Sequence, residues 1–205
     1  MAKVQGVKEK VHLPQYDAFF VPTGKKFSEA MTDPRMIRFF VDVQNKTKLE
    51  TNLQSAGVLP SNNQFEARAL RVVVSDFKRF EPKDPKIGAE LNKAEVLADL
   101  IYNSVTSLIV GEKIMIEMPT YFFPAGAGIP GSITVTNHGE PDPTATFRFA
   151  EPITVDAQQN FRVEMLFPQG VPGVGSTPHK SRLSDVEGPF RIWVVLDGYL
   201  TRDVQ

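Results

Sequence analysis

His12, His138 and His179 are the only imidazoles in this 205-residue chain, and it has no cysteine. Thiolate nucleophiles and thiolate metal sites are thereby excluded. His138 stands near Glu140 and Asp142 in Asn137-His-Gly-Glu-Pro-Asp-Pro143, donor types that could face a metal ion. Zinc takes three or four ligands in which His or Cys dominate, and the three histidines lie too far apart to supply two. The stretch reads as a solvated turn. Gly126-Ala-Gly128-Ile-Pro-Gly131 matches the G-x-G-x-x-G phosphate loop in letters. That loop must open a helix, and here the β-like Ser132-Ile-Thr-Val-Thr136 follows directly. No serine sits in a G-x-S-x-G elbow. The 24 carboxylates leave a spatial acid–base pair open. The expectation is a protein without cofactor or metal that is not an enzyme.

Composition narrows the class further. Hydrophobic residues make up 41% of the chain, enough for a core, and the net charge of −1 offers no basic field for nucleic acid. Lys78, Arg79, Lys83 and Lys86 alternate with Asp76, Glu81 and Asp84, a mixed-charge loop and no specific nucleic-acid site. Fifteen Phe against one Trp and four Tyr points to aromatics used as core filler, because Phe carries no polar atom needing a partner. No secretory signal or membrane-length apolar run is visible, so the expected place of synthesis is a cytoplasm. Asn45-Lys-Thr47 then reads as a chance match to a glycosylation site.

The elements that would carry any function are strands. Apolar alternation marks Met36 to Val43, Phe65 to Ser75, Val105 to Val110, Lys113 to Met118, Phe161 to Phe167 and Phe190 to Leu200. Shorter stretches, Tyr121 to Phe123, Ser132 to Thr136, Thr144 to Phe149 and Ile153 to Val155, extend the series, and Glu151-Pro152 suits an edge or corner. Gly111-Glu112 between two runs predicts a type II′ hairpin. One helix is predicted from Asn92 to about Asn103, with Leu97, Leu100 and Ile101 on one face. Eight to ten strands and one inserted helix predict an all-β, antiparallel β-sandwich of two sheets. Residues 35–205 would form this domain. Residues 1–34, broken by Pro14, Pro22 and Pro34, read as an extended N-terminal arm. Removing residues 1–20 is accordingly expected to leave the fold intact and impair assembly.

Two stretches carry a resemblance. One is Thr51-Asn-Leu-Gln-Ser-Ala-Gly57-Val-Leu-Pro60 followed by Phe65-Glu-Ala-Arg-Ala-Leu-Arg-Val-Val. The other is Phe190-Arg-Ile-Trp-Val-Val-Leu-Asp-Gly198-Tyr-Leu-Thr-Arg202-Asp-Val-Gln205. Together, over about a quarter of the chain, they resemble the single jelly-roll major capsid proteins of tailless icosahedral DNA bacteriophages, including those with an internal membrane. The resemblance implies an eight-stranded jelly roll that assembles into capsomers of a virion shell, with no catalytic residues. The partners it implies are further copies of the chain, other capsid proteins, and internal membrane lipid reached through the arm. The expected subunit contacts are Phe19 and Phe20 in the arm with Val171 and Val174 in the Gly- and Pro-rich loop 169–188. Two alternatives stand beside this reading. One is a monomeric carbohydrate-binding sandwich using Trp193 and Tyr199; the other is a phage accessory or decoration protein.

Overall fold

The computed structural model describes residues 6–75, 93–124, 145–173 and 183–204. Among these described residues, nine strands form two antiparallel sheets. They are β1 (Lys8–His12), β2 (Gln15–Val21), β3 (Met36–Phe39), β4 (Gln64–Val74), β5 (Val105–Val110), β6 (Lys113–Pro119), β7 (Arg148–Val155), β8 (Phe161–Leu166) and β9 (Phe190–Asp203). The first sheet runs β2-β9-β4-β7, and the second β3-β8-β5-β6. β1 prolongs β2 along the same edge of β9: Lys8–His12 face Asp203–Tyr199, and Gln15–Val21 face Leu196–Phe190. From β2 to β9 the chain crosses between sheets at every connection except the β5–β6 hairpin. That is the strand order of a single jelly roll.

The hairpin turns as its sequence requires. Val110 pairs with Lys113, leaving the two-residue loop Gly111-Glu112. Gly111 has φ +59° while Glu112 is not left-handed, the sign pattern of a type II′ turn. β7 runs through Pro152. Its register on β4 jumps from Ala67↔Ile153 to Ala69↔Arg148, so residues 149–152 stand out of the ladder at an edge strand. An outer strand with a bulge is where a residue lacking an N–H is tolerated. The helix α2 (Lys93–Tyr102) buries Val96, Leu97, Leu100 and Ile101 against the core.

Three segments depart from the sequence expectation. β3 stops at Phe39, because Phe40 takes a left-handed φ of +68° and turns the chain away before Val41 and Val43. Tyr121 to Phe123 is not a strand: Thr120–Phe122 forms a 3-10 turn, anchored where the Thr120 hydroxyl meets those of Ser104 and Thr106. The third concerns the arm. From residue 8 onward the segment is built into the first sheet, and the short helix α1 (Phe27–Ala30) plugs one end of the sandwich. Phe27 is fully buried, stacked on Phe190 at 6.0 Å and edge-on to Phe19 and Phe167. Truncating it to Ala should destabilise the fold by about 3–5 kcal/mol. Thermal or urea unfolding of the variant checks this, and a loss under 1 kcal/mol would contradict the packing.

Between the sheets the space is filled. Phe39, Phe65, Phe167 and Phe190 meet Leu70, Leu108, Val163 and Met165, all essentially inaccessible to solvent. Phe40 reaches back onto Phe161 at 5.2 Å. Gly57, within the first resembling stretch, is left-handed at φ +61°, and its carbonyl oxygen accepts the Phe161 N–H at 2.8 Å. A Cβ there would also meet the Phe161 carbonyl at 3.0 Å, so the chain needs glycine at this point.

Candidate functional site

Among the described residues the core between the sheets is apolar, and a dense set of polar contacts lies where the β3–β4 connection folds back over β2. Asp17 of β2 points to the core side and is fully buried. Its carboxylate accepts the Phe40 N–H at 2.7 Å and receives Lys46 Nζ on both oxygens at 2.9 Å. Burial pushes its pKa above the ordinary value, an effect that Lys46, Phe40 and Thr51 offset only in part. Phe40 is left-handed, a state that costs a bulky residue free energy. The carboxylate therefore holds a strained turn in place.

Further along, Glu50 accepts from the Thr47 N–H and hydroxyl and from Arg191 Nε at 3.3 Å. Burial raises Glu50, but these bonds outweigh it and hold the group below its usual range. Thr51 bridges to Asp17, and Asn52 bonds the backbone of Tyr16 and Pro14. The connection thus covers the free edge of β2.

Beside this clamp a groove of about 480 Å³ opens between β2, α1 and β3. Its apolar wall comes from Phe19, Phe20, Met31, Met36, Ile37 and Val41. Charged groups at its mouth are Asp33, Arg38, Asp42, Lys46 and Glu50. Lys46 is committed to Asp17 and Glu50 to Arg191, while Arg38 lies 3.9 Å from Glu164. Asp33 and Asp42 carry no ion pair among the described residues.

The expected contact residues fall in different settings. Phe19 is half-buried against Phe27 inside the sheet, and Phe20 lies under the Arg191 guanidinium, 4.2 Å from its ring centroid. Neither belongs to a free arm, although both wall the groove. Val171 packs against the core cluster. Val174 lies outside the described residues, as do the Gly126–Gly131 loop, Ser132–Thr136, His138, His179 and the charged stretch Lys78–Lys86.

Trp193 and Tyr199, the residues suited to a sugar, are both engaged. The Trp193 indole N–H donates to the Leu49 carbonyl at 2.9 Å. Tyr199 has the Lys10 ammonium and the Arg68 guanidinium over its ring at 5.2 and 5.0 Å, with His12 at 5.4 Å. Six residues of strand separate them, ~20 Å at 3.3 Å per residue, so they form no common platform. Glu66 ties Lys10 and Arg68 together, and the paired cations hold its carboxyl below the usual range.

Two apolar surfaces escaped the sequence reading. At the end of α2, Tyr102 lies tilted against Tyr121 at 5.9 Å and Tyr121 stacks on Phe122 at 4.7 Å, all exposed, with Phe147 edge-on behind. The signal lay in Tyr121-Phe-Phe123 after Pro119, taken as a strand. On β6, Ile114 and Met115 are 59% and 44% exposed. The β5–β6 register shifts between Leu108 and Ile109, so Met115 has no partner on β5 and both side chains are turned outward. Among the described residues, no set of three or more acidic or histidine side chains is placed to hold a metal ion, and no helix is long and apolar enough to cross a membrane. The chain matches no protein-family model and no curated protein sequence.

Proposed function

We propose that this protein is a structural, self-assembling shell subunit: a major capsid protein of an icosahedral bacteriophage virion, made in the host cytoplasm and forming homo-oligomeric capsomers. The observation that carries the reading is where apolar material lies. Among the described residues the core between the sheets is rich in fully buried phenylalanine, while large apolar side chains stand exposed on β6, at the end of α2 and around the β2–β3 groove. Exposed apolar patches of this kind mark contact surfaces. A filled sandwich with sticky edges is suited to being built with. The jelly-roll order and the resemblance of Thr51–Pro60 and of the closing strand to shell proteins support the same conclusion. Other capsid proteins and membrane lipid remain partners of the proposal. Electron microscopy of the purified chain over a range of concentration and salt tests it: rings, sheets or shells are expected, and a uniform field of monomers would overturn it.

One observation favours the carbohydrate-binding alternative. Tyr102, Tyr121 and Phe122 form an exposed aromatic group of the kind that stacks on sugar rings. If that reading held, a glycan panel would return a specific ligand whose binding is lost in Tyr121→Ala.

A further inference from the structure

We infer that the β2–β3 groove is the socket for the β5–β6 hairpin of a second copy, joining copies head to tail. The inference rests on the self-assembly reading and names its contact. Among the described residues β3 and β6 are the two outer strands of the second sheet, so the groove and the hairpin lie on opposite sides of one sandwich. A contact between unlike surfaces propagates from copy to copy and closes into a ring when the rotation permits.

Shape and charge both match. The hairpin presents Ile114 and Met115 outward, and the groove offers a few side chains' worth of space walled by Phe19, Met31, Met36 and Val41. Val41 is itself 41% exposed at the mouth. Beside the apolar pair, the hairpin carries exposed Lys113 and Glu112, neither ion-paired among the described residues. The groove mouth answers with unpaired Asp42 and with the half-exposed Arg38. The Met115 bulge also argues for contact through side chains. A bulge on an outer strand breaks the regular row of backbone groups that would otherwise invite a further strand.

Complementation between two surface variants of the full chain tests the inference. The hairpin variant is Ile114→Ser with Met115→Ser, and the groove variant is Val41→Lys with Asp42→Lys; far-ultraviolet circular dichroism verifies that both fold. Sedimentation velocity should find each variant alone monomeric where the wild type associates. An equimolar mixture should give a two-chain species and nothing larger, because each variant retains the surface the other lacks. A second pair guards against misfolding: Lys113→Glu and Asp42→Lys should each weaken association about tenfold, and the doubly reversed chain should recover it. If the wild type assembles and the variants assemble equally well, or the mixture stays monomeric, the socket is wrong while the self-assembly reading survives. If the wild type never associates, both fall.

Discussion

A chain lacking residues 1–20 is expected not to fold. Read from sequence alone, that segment is an arm whose loss should affect assembly only; the structure makes it the edge of a sheet. β2 pairs with β9 over seven consecutive positions, from Gln15↔Leu196 to Val21↔Phe190. The deletion takes six of these seven positions, including Ala18, which is fully buried, and Phe19, which packs edge-on against Phe27. Deleting it would strip β9 of one neighbour, expose Ile192 and Val194, and leave Lys46 and the Phe40 N–H without their carboxylate. Losses of several kcal/mol from burial and from the orphaned polar groups together compare with the whole stability of a domain, about 5–15 kcal/mol. Deleting only residues 1–12 removes β1, whose side chains are mostly exposed, and should yield a folded protein. Circular dichroism and unfolding curves of the two truncations check this. A cooperative transition in the longer deletion would contradict the placement of β2.

Asp17→Ala is the second large effect. It removes the acceptor for Phe40 N–H and the counter-ion of Lys46 at a fully buried position. Breaking a buried pair from one side costs about 3–5 kcal/mol. Asp17→Asn keeps an acceptor for the Phe40 N–H but still removes the counter-ion of Lys46, so its cost should lie below that of Asp17→Ala. The pH dependence separates charge from shape. Because burial raises the folded pKa of Asp17 above its unfolded value of 3.8, the folded state binds the proton more tightly. The resulting stabilisation is fully present below the unfolded pKa and fades as pH rises through the raised one. Relative to Asp17→Asn, the wild type should therefore lose melting temperature as pH rises from about 4 through the raised folded pKa. A widening advantage for the wild type over that range would mean that Lys46 outweighs burial.

Local pattern carried much of the architecture. β4, β5, β8, β9, α2 and the II′ hairpin follow from alternation, helical spacing and a turn glycine, all readable within a dozen residues. β2 was not readable in that way. Its outer side is covered by the connection around Thr51, so buried and half-buried residues do not alternate along it, and its partner β9 is far away in sequence. Phe27 sits between Lys25-Lys26 and Ser28-Glu29, with no apolar neighbour to announce a core residue. The Asp17–Lys46 clamp spans 29 residues and the groove draws on three elements, so neither leaves a motif.

Sedimentation velocity of the full-length chain, over a wide concentration series and at low and high salt, tests the central claim most directly. The account predicts reversible growth from the 22.8 kDa monomer to discrete oligomers as concentration rises. A single monomeric boundary at every concentration and salt would contradict it.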